Sequence, residues 1–163
     1  MSDIFSHAGS PAPSGEPLPA VVVRATLAAG VEEAFSGWTE HIRLWWPVAE
    51  YSVSGDGAIV EFEAAELVET SEGDQMISWG SVVSWNPPTS LSISWHPGGS
   101  ALQATDLVVA FAAPAPGEAG GTQVTLTHAG WERLPDPEAA RADYEERWPR
   151  VLERFVRFMG GPA

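Results

Sequence analysis

Toward the C-terminus the apolar positions recur at helical spacing. Tyr144, Trp148, Val151, Phe155 and Phe158 fall four, three, four and three residues apart, one stripe along a helix over 136–159. Its other side is charged, and Glu146 with Arg150 and Glu153 with Arg157 are spaced to pair across one turn. Asp136-Pro137 reads as an N-cap followed by proline at the first helical position, and Gly160-Gly161 closes the end. Pro149 removes one helical hydrogen bond and crowds the preceding turn, which predicts a kink or a restart there. A helix so rich in aromatics needs a large apolar surface to lie on.

Upstream the period changes to two. Val21, Val23, Ala25 and Leu27 alternate with Val22, Arg24 and Thr26, a strand that starts at Ala20 and is broken by Ala29-Gly30. Val31, Ala34, Phe35 and Trp38 then share a helical face, and Thr39 is placed to cap a second short helix running to Trp46 and ended by Pro47. A meander follows: residues 51–54, a turn at 55–57, a strand over 58–68, an acidic turn at 71–74, and a strand in which Ile77, Trp79, Ser81, Val83 and Trp85 share one face. Beyond the Asn86-Pro87-Pro88 turn, Leu91, Ile93 and Trp95 oppose Ser90, Ser92, Ser94 and His96. A strand carrying Leu107, Val109 and Phe111, a loop over 114–121, and a strand with Val124, Leu126 and His128 inward complete the set. Such alternation predicts an antiparallel sheet with one wet face. The element order is that of an α+β domain, a curved antiparallel sheet wrapped around the long helix with the short helices closing one end. Residues 1–19, rich in Pro, Gly and Ser, read as a flexible tail with an idle His7, and residues 20–160 as the domain.

Composition narrows the partners. The chain has 163 residues, is 44% hydrophobic with eight tryptophans, and carries a formal net charge of −14, its eight basic residues all arginine. That carboxylate excess opposes binding to nucleic acid phosphates and to anionic membrane surfaces. No apolar run reaches the ~20 residues of a membrane span, and the N-terminus lacks the pattern of a secretory signal. The absence of cysteine excludes disulfides and thiolate chemistry and suits the cytoplasm. The four histidines are scattered without metal-ligand spacing, so no metal or other cofactor is expected.

Several stretches taken together resemble a known family. They are Trp45-Trp46-Pro47 after a short helix, the 80–85 strand ending in Asn86-Pro87-Pro88, Leu91 and Trp95, the run from Gly121 to His128, and Trp148 with Leu152 in the last helix. Their order and spacing are similar to those of the homologues of the activator of the heat-shock-protein-90 ATPase, within the START-like (SRPBCC) superfamily. The resemblance covers about residues 20–160 and implies a helix-grip fold with a deep apolar cavity between sheet and helix. Members use that cavity for lipids, steroids, hormones or polyketides, some with cyclase or hydrolytic chemistry. The co-chaperone of the family has a further N-terminal domain that this sequence does not show.

Candidates for lining the cavity are Trp38, Trp45, Trp46, Phe62, Trp79, Trp95, Phe111 and Phe155, together with Tyr144, Trp148 and Leu152 on the last helix. Each is equally at home in an ordinary core, where aromatics dominate packing. His128 continues the inward row of its strand and is the candidate for polar contact or acid–base work, with Tyr51 or Asp106 as conceivable partners; the alternative is a core histidine bonded to a neighbour. Glu61 and Glu63 sit on a solvated face, and His41 and His96 read as idle. The first functional reading is a carrier or sensor of a small hydrophobic or aromatic molecule, acting as a monomer or homodimer. A cyclase- or hydrolase-type enzyme using His128 is the alternative, and a chaperone-interaction module is a third.

Overall fold

The computed structural model describes residues 17–117 and 121–162. Residues 1–16, the bulk of the expected tail with His7, and 118–120 of the expected loop lie outside them. Leu18 packs against the core and the Pro19 carbonyl accepts from Arg141 Nε at 2.6 Å, so the held chain reaches back before Ala20.

The strands are β1 (Val21–Leu27), β2 (Ile59–Glu63), β3 (Glu66–Thr70), β4 (Met76–Asn86), β5 (Ser90–Trp95), β6 (Thr105–Ala112) and β7 (Thr122–Ala129). The helices are α1 (Val31–Thr39), α2 (Ile42–Trp45) and α3 (Pro137–Phe158). One seven-stranded sheet runs β1-β7-β6-β5-β4-β3-β2, and every neighbouring pair is antiparallel. The sheet curves around α3, with the short helices after the first strand, which is the expected α+β helix-grip arrangement.

Alternation decides the faces of β5, β6 and β7: Leu91, Ile93, Trp95, Leu107, Val109, Phe111, Val124, Leu126 and His128 are all buried. The expected 58–68 strand is instead a hairpin, turned at Ala64-Ala65 with φ of 48° and 66°. Positive φ at both central turn positions matches the right-handed twist of the flanking strands but ordinarily selects Gly, Asn or Asp. Residues 51–54 form no strand. On β4 the expected single face is also corrected. Register shifts between Leu67 and Val68 opposite it, and between Val82 and Ser84 within it, leave Trp79 unmatched in the pairing with β3 and Val83 unmatched in the pairing with β5, although the Trp79 carbonyl accepts from His96 N at 2.7 Å. Each extra residue reverses the alternation. Gly80 therefore sits opposite Leu67 and Trp95, while Val83 is 70% exposed.

The last helix begins where the capping residues place it. Asp136 Oδ1 accepts from Ala139 N at 3.3 Å, and the helix runs through Pro149 without a restart. Trp148, Val151, Leu152 and Phe155 are buried, whereas Phe158 is 39% exposed and belongs to the stripe only in sequence. Glu153 pairs with Arg157 at 2.9 Å; among the described residues Glu146 and Arg150 do not pair, and Asp143–Arg147 and Arg141–Glu145 do. Thr39 does not cap α2: it is buried in α1 and bonds back to the Phe35 carbonyl at 2.7 Å. The turn into α2 is held instead by the Trp45 indole on the Gly37 carbonyl at 2.9 Å.

Candidate functional site

Aromatic rings fill the space between sheet and helix. Trp38, Trp45 and Phe155 meet with centroids 4.8 to 5.0 Å apart, and Phe111 joins them from β6 at 6.4 Å from Trp38. All four are almost fully buried, as is Leu152, and none of the five borders the open cleft, so the deep cavity expected there is occupied by side chains. Phe62 lies elsewhere, beside Trp85 and the Ala64-Ala65 turn.

Open space remains at the far end of the same layer. A cleft of about 270 Å³ is walled by Trp46, Trp79, Trp95 and Trp148, with Val151 beneath, Pro97 on one side and the 51–53 loop on the other, and with Tyr144 and Arg147 at its edge. A shallower hollow of about 190 Å³ adjoins it across Trp95, Pro97 and Tyr144, and the buried Nδ1 of His96 there has no partner among the described residues. Of the residues expected to line a cavity, this cleft brings together Trp46, Trp79, Trp95, Tyr144 and Trp148.

Each of the four indole N–H groups is already used. Trp46 donates to the Tyr51 carbonyl at 2.8 Å, Trp79 to Glu69 at 2.9 Å, Trp95 to the Tyr144 hydroxyl at 2.9 Å and Trp148 to His128 at 2.9 Å. The walls therefore offer ring surface, held in place by bonds made behind it. An apolar pocket edged by a few polar groups is the usual form of a small-molecule site.

Glu69 is the residue that sequence reasoning missed. It sits within β3, fully buried, where the acidic run that follows it suggested a solvated turn. Its carboxylate accepts from Val53 N at 2.9 Å, Ser54 N at 2.6 Å and the Trp79 indole. Burial pulls its pKa up, but the hydrogen bonds from Val53, Ser54 and Trp79 outweigh that and hold it below the usual carboxylate value. One carboxylate thus latches the cleft's loop and one of its walls to the sheet. Only the pairing Glu69↔Ile77, on the inner row, marks it in hindsight.

His128 lies one layer behind the cleft, 0% exposed, between Trp131 at 4.1 Å and Tyr144 at 4.7 Å. An indole nitrogen only donates, so Nδ1 accepts from Trp148 and the ring proton sits on Nε2. Nε2 then donates to Thr105 Oγ1 at 2.6 Å, and Thr105 passes its proton to the Trp95 carbonyl at 3.3 Å. Burial drives its pKa down to about 3, with Asp106 opposing weakly. The arrangement is that of a neutral core histidine that fixes Trp148. Asp106 faces outward and is held by both terminal nitrogens of Arg133 at 3.0 Å.

Arg147 is the one charged side chain on the cleft wall. Its guanidinium carbon stands 5.3 Å from the Tyr51 ring centroid and 5.1 Å from that of Tyr144, and its Nη2 is 2.7 Å from Asp143 Oδ2. Burial raises the Tyr144 pKa, so its hydroxyl is a neutral donor and acceptor. Among the described residues no three His, Asp or Glu gather as a metal site, and no helix is long and apolar enough to cross a membrane.

Residues 28–160 match the family model described as activator of Hsp90 ATPase homolog 1-like protein. Solved structures of similar fold include CalU16 from Micromonospora echinospora, 21% identical, with 93% of this chain and 80% of that one covered at a TM-score of 0.58. MLL2253 from Mesorhizobium loti is 17% identical, covering 85% and 94%, with a TM-score of 0.61. The anthrahydroquino-gamma-pyrone synthase Txn09, solved in complex, is 25% identical over 90% and 99%, with a TM-score of 0.57. No curated protein matches the sequence.

Proposed function

The chain belongs to the activator of Hsp90 ATPase homolog 1-like family, and from that premise we propose that it binds a small apolar or aromatic molecule in the cleft between the sheet and the last helix. The observation that carries this reading is the wall of four indoles whose N–H groups are all bonded internally. The four rings pack on one another at 5.3 to 6.2 Å, and their internal bonds fix them as one wall beside the open space. At about 270 Å³ the cleft is just below the usual range of about 300–1,000 Å³, so its occupant is small, on the scale of one to two fused rings.

Thermal unfolding in the presence of a panel of one- to three-ring aromatic compounds tests this. A ligand at a hundred times its Kd stabilises by about 2.7 kcal/mol, enough to raise the midpoint by several degrees. Val53 lines the cleft mouth and is 53% exposed, so Val53→Trp fills the mouth without disturbing the core. The variant should keep the unliganded midpoint and lose the compound-induced rise. A panel without any rise, or a rise that survives Val53→Trp, would refute the proposal.

A second reading, chemistry on the bound molecule, draws on the likeness to the synthase Txn09. In that case His128 positions Trp148 and does not itself move a proton, because both its nitrogens are bonded inside the core. Turnover that persists in His128→Gln, with a changed KM, is the expected signature.

A further inference from the structure

The polar edge of the cleft is one-sided. The Tyr144 hydroxyl accepts from Trp95, and among the described residues nothing takes its own proton. Arg147 has five N–H donors, of which Asp143 faces one nitrogen, and among the described residues no other acceptor reaches it. Ser52 spends its hydroxyl proton on the Val48 carbonyl, and the Tyr51 hydroxyl, also on the wall, has no partner among the described residues. The unused capacity at the cleft is therefore mostly donor capacity, concentrated where Tyr144 and Arg147 stand side by side on one turn of α3.

Charge points the same way. The chain carries −14 overall, yet the single ionised side chain facing the cleft is a cation. Packing against Tyr51 and Tyr144 and pairing with Asp143 hold it at the cleft edge, 37% exposed. A guanidinium fixed in this way presents its fork to a planar oxyanion with little ordering left to do.

We propose that the molecule taken by the cleft is a planar aromatic anion, its rings against the indole wall and its carboxylate or phenolate oxygen on Arg147 and the Tyr144 hydroxyl. This rests on the reading of the cleft as a ligand site and adds the charge class of the ligand and the residue that selects it.

The probes are 2-naphthoate and its uncharged isostere 2-naphthamide, titrated calorimetrically at pH 7.5 into the full chain. A charge-assisted bond partly shared with Asp143 should favour naphthoate by about ten-fold. Arg147→Gln should abolish the preference, weakening naphthoate about ten-fold more than it weakens the amide. Arg157→Gln removes the same charge from an exposed position paired with Glu153, and should leave the ratio as it is in the wild type. Equal affinities in the wild type, or an Arg147→Gln variant that weakens both probes alike, would overturn the charge selection while leaving the cleft as a ligand site. If neither probe binds and the compound panel gives no stabilisation, the ligand site falls and the charge selection with it.

Discussion

Acid should destabilise this protein through one buried imidazole. In the unfolded chain His128 takes up a proton as the pH falls through about 6.5, whereas in the fold burial delays that uptake until about 3. Protonating Nδ1 would also set an N–H against the Trp148 indole N–H. Between those two values the unfolded state binds more protons, so the stability contributed is full above about 6.5 and is lost as the pH falls. With these two values the loss is about 2 kcal/mol between pH 7.5 and pH 5. The groups around the ring are few: Asp106 opposes the shift weakly, and Tyr144 stays neutral throughout this range. Urea unfolding at the two pH values reads the effect directly. With an m-value of about 2 kcal/mol per molar, the midpoint should drop by about 1 M. His128→Gln lowers stability at both pH values by breaking the chain to Thr105, but it should flatten the dependence on pH by that same amount. If the wild type and His128→Gln lose equal stability between pH 7.5 and pH 5, the imidazole is not buried and neutral as described.

Glu69→Gln keeps the shape of the latch but supplies an amide nitrogen where three donors converge, and should cost about 3 kcal/mol in urea unfolding, with faster hydrogen exchange at Val53 and Ser54. The stability that Glu69 contributes is present above the ordinary carboxylate value and is lost as the pH falls below it, so it lies outside the comparison between pH 7.5 and pH 5. Gly80→Ala should cost about 3 kcal/mol or more, because Gly80 has φ of 154° and a Cβ there would overlap the Ser94 carbonyl oxygen. A variant with an unchanged thermal midpoint would mean that β4 and β5 part easily at this point.

Much of the fold was legible because alternation survives wherever pairing is regular. The inner rows of β5, β6 and β7 and the capped start of α3 follow directly from residue spacing. The misreadings have local causes. Two alanines in a hairpin turn carry no turn signature, so β2 and β3 read as one strand. Trp79, extra against β3, and Val83, extra against β5, each add a residue to β4 and reverse its parity, which period counting cannot register. Phe158 keeps the stripe's spacing but stands past the last buried turn. At the site, sequence reading marked Trp46, Trp79, Trp95, Tyr144 and Trp148 among a larger aromatic set, but it had no means of separating them from Trp38, Trp45 and Phe155. What distinguishes the two groups is which rings border the open space, a tertiary property. Glu69 and Arg147 escaped notice for a related reason. Each is an ordinary charged residue in sequence, and only the fold places one beneath the cleft and the other at its edge.

The closeness of the indoles has an optical consequence. Trp38, Trp45, Trp46 and Trp148 follow one another at 4.8, 5.8 and 6.1 Å, and Trp79 and Trp95 close a ring with Trp46. At such separations the excited states of neighbouring indoles couple, and excitation of one ring is shared among the six. The circular dichroism should carry an exciton couplet in place of six independent bands, and emission should be strongly depolarised even in a rigid glass. A quencher seated against Trp148 alone would dim the whole array. The core thus acts as an antenna of which the cleft wall is one part.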